Sequence, residues 1–99
     1  MLSFLPKNPQ DVMEELRVKF KERRMRMGYT QMECATRSGV SLGSLKRFEH
    51  SGQISLESLL KLAYVLECLG DFEEVCLERE EIPRSLDEVF KVKKSSEKN

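Results

Sequence analysis

Few side chains in this sequence have the types and spacing that catalysis needs. His50 is the single histidine and stands apart from any nucleophile or metal-ligand pattern. The three cysteines, Cys34, Cys68 and Cys76, are odd in number and lack the short paired spacings of a metal site. Neither a glycine-rich phosphate loop nor a pair of catalytic carboxylates can be assembled. We therefore expect no enzyme activity, no metal and no cofactor. Cys34 is expected to pack as a small apolar residue, with redox sensing as the alternative.

Helix-capping and turn residues are instead concentrated between residues 30 and 49. Thr30 and Glu33 have the spacing of a reciprocal capping box, which predicts that a helix starts here. Gly39 can adopt the left-handed conformation that ends a helix, and Ser41 can cap the next one. Two short helices joined by a tight turn are therefore predicted.

The apolar residues of this stretch predict which face of each helix is buried. Met32, Cys34 and Ala35 are expected to point inward from the first of these helices. Leu45 and Phe48 recur at the three-residue spacing that buries one stripe of the second. The residues left to face outward or toward a partner are Leu42, Gly43, Ser44, Lys46 and Arg47.

Length and composition predict one small all-α domain with tails. The chain has 99 residues, of which 39% are apolar and none is tryptophan. We expect an extended arm over residues 1–9, a helical domain over residues 10–82 and a partly disordered tail over residues 83–99.

A first helix over residues 10–27 is predicted by the spacing of its apolar residues, Val12, Leu16, Phe20 and Met27. A fourth helix is expected from Ser55, with a buried stripe made by Leu56, Leu59, Leu60, Ala63 and Leu66. A fifth, acidic helix is expected over residues 71–77. No apolar run is long enough to span a membrane, and we expect a cytoplasmic protein.

The formal net charge of zero conceals an asymmetry along the chain. Residues 1–53 hold ten lysines and arginines against six aspartates and glutamates. Residues 54–90 hold three against ten, and residues 91–99 hold four against one. An anionic partner needs local positive potential rather than a basic whole, so the first half can still face phosphates.

The order Thr-Gln-x-x-x-Ala-x-x-Ser-Gly-Val-Ser-x-x-x-Leu-x-x-Phe-Glu, from Thr30 to Glu49, resembles the helix-turn-helix of the Xre family, the Cro and phage-repressor type. The resemblance extends from about Leu16 to Phe72. It implies a five-helix phage-repressor-like domain whose second motif helix lies in the major groove of DNA.

The resemblance also implies roles for single residues. Gln31 matches the family's glutamine that braces a phosphate, and Arg47 is the candidate for recognising guanine. Leu42 departs from the family pattern because it cannot hydrogen-bond, so it would offer apolar contact, while Gly43 would let the backbone come close. A partly buried ion pair between Arg24 and Glu49 is implied as well. The DNA-contacting set is therefore Gln31, Ser41, Leu42, Gly43, Ser44, Lys46 and Arg47.

The continuation of the motif, residues 47–60 and 69–73, resembles the branch of the family that contains HipB-type antitoxins. That branch implies a homodimer that represses its own operon at an inverted-repeat operator and binds a HipA-like kinase-fold toxin. We expect the dimer interface on the fifth helix, at Phe72, Val75 and Cys76. The alternatives are a stand-alone repressor, an interaction module of the same fold and an RNA-binding protein, which would need exposed aromatic residues.

Overall fold

Five α-helices follow one another along residues 7–78, the part of the chain that the computed structural model describes. They are α1 (Pro9–Arg26), α2 (Gln31–Ser38), α3 (Leu42–Ser51), α4 (Leu56–Val65) and α5 (Leu69–Phe72). The all-α prediction is confirmed for these residues, which contain no β-strand. The predicted C-terminal tail and most of the predicted N-terminal arm lie outside the described residues.

α1 begins one residue earlier than predicted because Asn8 caps it. The Asn8 side-chain oxygen accepts a hydrogen bond from the backbone N–H of Asp11 at 2.8 Å, and the Asp11 carboxylate accepts from the Asn8 N–H at 3.3 Å. Pro9 is the first helical residue, where its missing N–H would have had no partner in any case. The predicted arm therefore stops at Asn8, and its last residue belongs to the helix.

One apolar core joins α1 to α4. The rings of Phe20 on α1 and Phe48 on α3 meet edge to face, with centroids 5.5 Å apart. Nearly all of the core side chains come from α2, α3, α4 and the turn between α2 and α3. The buried apolar residues are Phe20, Cys34, Ala35, Val40, Leu45, Phe48, Leu62, Ala63 and Leu66.

Three residues predicted to be buried are exposed instead. Met32 is 60% exposed because it lies about 200° around α2 from the fully buried Cys34. Leu56 is 68% exposed, and Leu62 takes the central position on α4 that the prediction missed. Val12, in the first turns of α1, is 43% exposed.

The predicted fifth helix over residues 71–77 is wrong. α5 starts at Leu69 and ends after four residues at Phe72. Glu67 before α5 and Cys76 after it both have a left-handed φ of 60°. Phe72 packs inward against Phe20, with ring centroids 6.3 Å apart. Within residues 7–78, none of the helices combines the length and apolarity required to cross a lipid bilayer.

Candidate nucleic-acid interface

α2 begins and ends with the local hydrogen bonds that its sequence predicts. The Thr30 hydroxyl accepts from the Glu33 N–H at 3.0 Å, and the Glu33 carboxylate accepts from the Thr30 N–H at 2.8 Å. This backbone hydrogen bond from Thr30, helped by the Thr30 side chain, lowers the pKa of Glu33 below its ordinary value. Gly39 closes α2 with a φ of 77°. A Cβ at Gly39 would meet nothing within 4 Å, so the turn needs glycine for its backbone conformation and not for space.

The first turn of α3 is held by two serines. The Ser41 hydroxyl accepts from the Ser44 N–H at 3.1 Å and donates to the Ser44 hydroxyl at 2.9 Å. Val40, just before them, is buried and fixes the direction in which the chain enters α3. Together with α2 this forms what we call the α2–α3 corner, residues 30–51. Its cap and turn predictions are confirmed.

α3 has one buried face and one exposed face. Leu45 and Phe48 are 2% and 1% exposed, as predicted. The exposed set includes Ser41, Gly43, Ser44, Lys46 and Arg47. Leu42 differs from the expectation, because its side chain is half-buried and packs against the core. Only part of Leu42 is therefore available to a partner.

The ion pair expected between Arg24 and Glu49 is present and buried. The Arg24 Nε and Nη2 donate to the two Glu49 carboxylate oxygens at 2.7 and 3.0 Å. The hydrogen bond with Glu49 raises the pKa of Arg24 even though burial opposes its charge. Gln31 donates from its side-chain nitrogen to the same carboxylate at 2.9 Å. Because a carboxylate can only accept, the Gln31 amide must turn its nitrogen toward Glu49.

Arg17 is a further donor to the C-terminal end of α3, and Arg24 also binds the loop before α2. The Arg17 guanidinium donates to the backbone carbonyl oxygen of Glu49 at 2.9 Å, and it also binds the Glu14 carboxylate. Arg24 donates its remaining nitrogen to the Tyr29 carbonyl at 2.8 Å. α1, α2 and α3 therefore meet at one charged, hydrogen-bonded junction. The N-terminal half of α3 projects away from that junction with its polar side chains exposed.

Arg47 is exposed but not isolated. Its Nη2 donates to the Gln53 side-chain oxygen at 2.5 Å, and its backbone carbonyl accepts from the Ser51 hydroxyl at 2.8 Å. Ser44, Arg47, Gln53 and Ile54 surround an open cavity of about 240 Å³ beside α3. The other guanidinium N–H groups of Arg47 make no hydrogen bond within residues 7–78. Lys46 makes no ion pair there either.

The basic residues of α1 divide into two groups that sequence alone did not separate. Arg17 and Arg24 bind Glu49, as described above. Arg23 donates to the Leu66 carbonyl oxygen and, at 3.1 Å, to that of Glu67, so it satisfies carbonyls at the C-terminal end of α4. Lys19 and Arg26 line a groove between α1 and α5, which Arg23 lines as well. Arg23 was missed as a structural residue because its acceptors lie more than forty positions away in sequence.

The residues predicted for a dimer interface do not lie on one helix, although Phe72 and Val75 both line the groove between α1 and α5. Phe72 is half-buried against the core, whereas Val75 is 65% exposed and Cys76 is exposed in the turn after α5. The physical reason is the early end of α5, which removes the helical spacing that would have aligned the three side chains.

Aromatic and thiol groups offer little further chemistry. Phe20 and Phe48 are buried, and the Arg37 guanidinium lies 4.8 Å from the centre of the half-buried Tyr29 ring. All three cysteines are free. Burial raises the pKa of the Cys34 thiol, with the Arg24 charge opposing it, so the thiol stays protonated. Cys34 thus packs as a small apolar residue, as predicted.

Comparisons of this chain with protein-family models, with curated proteins and with solved structures find no match. Function is therefore inferred from the geometry and chemistry of these residues.

Proposed function

We propose that this protein is a sequence-specific DNA-binding transcriptional regulator whose α2–α3 corner is a helix-turn-helix of the Xre type. The observation that carries the proposal is the asymmetry of α3. Its C-terminal end is held through Glu49 by Arg24 and Gln31, while its N-terminal half exposes polar and basic side chains. A recognition helix needs both properties, because contacts to base edges demand a fixed helix and an exposed donor surface.

In this proposal α3 enters the major groove and α2 crosses the phosphate backbone. Arg47 is the residue that recognises guanine, because its guanidinium keeps unused N–H groups in a planar fork. Lys46 contacts a phosphate or a base. Leu42 offers its exposed edge to a thymine methyl group, and Gly43 allows close approach of the helix to the DNA.

The N-terminal ends of α2 and α3 are the proposed phosphate contacts. Gln31 donates one amide hydrogen to Glu49 and has the other available for a phosphate oxygen. The same side chain therefore holds α3 in place and contacts the DNA backbone. Ser44 accepts from Ser41 and keeps its own hydroxyl hydrogen for a similar contact. Helix N-termini favour phosphate because their N–H groups point outward.

The test is selection from a random DNA library followed by fluorescence anisotropy with the selected duplex. We expect enrichment of an inverted repeat with half-sites about one helical turn apart. The affinity should fall steeply with salt. The logarithm of the binding constant, plotted against the logarithm of the salt concentration, should have a slope of roughly −0.9 for each neutralised phosphate. The double variant Lys46→Ala/Arg47→Ala should lose selective binding, while Lys21→Ala, at an exposed lysine on α1, serves as the matched control. Absence of any enriched sequence for the wild-type chain would reject the proposal.

The proposal extends to an autorepressor that is also the antitoxin of a HipBA-like operon. The supporting observation is the exposed acidic surface after α4, where Glu67, Asp71, Glu73 and Glu78 lie away from α3 and remain free for a protein partner. Co-expression with the product of the adjacent gene should give a stable complex with a kinase-fold toxin. If the chain binds DNA but the adjacent product does not copurify, the stand-alone repressor is the correct form of the proposal.

A further inference from the structure

An apolar stripe runs along the solvent side of α4. Leu56 and Tyr64 are 68% and 73% exposed, and the half-buried Leu60 lies between them at the four-residue spacing that aligns side chains on a helix. We call these three residues the α4 stripe. Beside it, Leu60 and Tyr64 join Val65 and Leu69 in lining an open cavity of about 500 Å³.

The folded monomer does not need the α4 stripe for its core. The opposite side of α4 already supplies Leu62, Ala63 and Leu66, which are 0%, 0% and 2% exposed. Large apolar side chains exposed side by side mark an interaction surface more often than scattered single ones do. The stripe is therefore a surface left over after the core is complete.

The charges beside the stripe indicate which partner fits it. Glu57 and Lys61 form an ion pair of 3.3 Å, and each follows a stripe residue by one position. If a second α4 packs antiparallel about Leu60, Leu56 lies opposite the second copy's Tyr64. Glu57 then lies about two residues, or roughly 3 Å along the axis, from the second copy's Lys61. The twofold symmetry repeats this pairing on the same flank, so two pairs of opposite charge form. The two copies of Lys61 are also about two residues apart along the axis and make one like-charge pair, so the attractive pairs outnumber the repulsive one.

The turn after α5 is a poorer surface for the same partner. Its exposed apolar side chains, Val75 and Leu77, are flanked by Glu73 and Glu78, and residues 73–78 contain no lysine or arginine. Two copies paired through Val75 and Leu77 would bring the carboxylates of Glu73 and Glu78 together, which opposes association. The cations nearest Val75 lie around the groove between α1 and α5 and belong to Lys19, Arg23 and Arg26.

We propose that a second copy of this chain docks antiparallel on the α4 stripe to form a twofold dimer. The inference deepens the proposed function and rests on it for its biological role, because a twofold dimer matches an inverted-repeat operator. Self-association itself needs no DNA. α4 is only ten residues long, so the contact belongs to the small class of interfaces and a Kd on the order of 10 μM is expected.

Sedimentation equilibrium of the full chain without DNA, from about 1 to 200 μM, tests the interface. Wild type should pass from monomer to dimer over this range, as the expected Kd requires. Tyr64→Glu and Leu60→Glu should remain monomeric at every concentration, whereas Val75→Glu, the matched control outside the stripe, should dimerise like wild type. Circular dichroism establishes that each variant is folded.

Charge exchange gives a second readout, and mixing two variants separates it from the ion pair that Glu57 and Lys61 make within one helix. Glu57→Lys and Lys61→Glu each place like charges across the twofold axis and should weaken dimerisation at least tenfold. An equimolar mixture of the two single variants should form a heterodimer more tightly than either homodimer, because opposite charges then meet only between the chains. A wild-type chain that stays monomeric, a mixture that does not associate, or dissociation by Val75→Glu would each overturn this interface.

The two proposals fail separately. If the chain dimerises through the α4 stripe but selects no DNA sequence, the interface proposal is supported and the proposed DNA-binding function is rejected. If the chain binds selected DNA but remains monomeric at 200 μM, about twenty times the expected Kd, the proposed function is supported and the α4 interface is rejected.

Discussion

Arg24 on α1 and Glu49 on α3 face each other through two hydrogen bonds, although only 9% and 4% of their side-chain surfaces are exposed. The pair joins the longest helix of the described chain to the helix that we propose for DNA recognition. Gln31 completes the arrangement from α2. The direction of α3 is therefore set by polar contacts at its C-terminal end as well as by apolar packing beneath it.

Removing one partner of this pair should be costly. Glu49→Ala leaves the Arg24 guanidinium buried without a counter-charge, so the free energy of unfolding should fall by about 3 to 5 kcal/mol. Urea denaturation at neutral pH measures the change. Glu15→Ala, which removes an exposed ion pair with Lys7, is the control and should cost at most about 1 kcal/mol. Equal effects of the two substitutions would show that the buried pair does not stabilise the fold.

Acid should weaken the start of α2. The pKa of Glu33 is lower in the folded chain than in the unfolded one because the Thr30 N–H binds its carboxylate. Its contribution is therefore fully present above the unfolded pKa and is lost as the pH falls through the folded pKa. Thermal melts between pH 7 and about pH 3 should show a lower Tm for Glu33→Gln than for wild type at pH 7, with a difference that shrinks as the pH falls. Glu22→Gln is the exposed control, and a Tm difference for Glu33→Gln that is the same at both pH values would contradict this account.

Arg47 and Gln31 should affect DNA binding in different ways. Arg47→Ala should weaken binding by about 1 to 3 kcal/mol and relax the preference at one base pair, because its fork of donors distinguishes guanine. Gln31→Ala should weaken binding with little change of preference, because phosphates are the same in every sequence. Library selection with each variant measures both effects. An unchanged site and affinity for Arg47→Ala would mean that another residue recognises the operator.

Gln31→Ala should also lower stability, unlike Arg47→Ala. Gln31 donates to the buried Glu49 carboxylate, and a hydrogen bond to a charged group contributes about 1.5 to 3 kcal/mol. Binding assays with this variant therefore need a temperature well below its Tm, established by a melt of the free protein. If the melt of Gln31→Ala matches that of wild type, the bond to Glu49 contributes nothing to stability.

A glycine at position 67 should stabilise the protein. Glu67 has a left-handed φ of 60° immediately after α4, where an L-residue other than glycine is strained by about 1 to 2 kcal/mol. Glu67→Gly removes that strain and loses part of the gain to the greater freedom of glycine in the unfolded chain, so a net increase of roughly 0.5 to 1 kcal/mol is expected. Arg23 binds the backbone carbonyl of residue 67 and is retained. Glu73→Gly, at a right-handed position, is the control and should lower the free energy of unfolding. If Glu67→Gly also lowers it, Glu67 is not strained.

The capping box of Thr30 and Glu33, the left-handed Gly39 and the serine caps were all predictable from the sequence. Each of these features is decided by hydrogen bonds and sterics among residues within four positions of one another, so no distant part of the chain is needed. The buried positions of α3 were also predictable, because Leu45 and Phe48 are its only large apolar residues after the first turn. The pairing of Arg24 with Glu49 followed from a family resemblance and not from spacing.

Tertiary structure alone decided which side of α4 is buried and where the last helix ends. α4 carries apolar residues around most of its circumference, so periodicity could not choose between Leu56 and Leu62. Contact with α2 and α5 made that choice, because it buried Leu62 and left the α4 stripe in solvent. Arg23 could not be assigned from sequence for the same reason, since the carbonyls of Leu66 and Glu67 that it binds come near it only in the folded chain. Local hydrogen bonds thus determine where the helices of the α2–α3 corner begin and end, whereas long-range packing determines which side of α4 is buried.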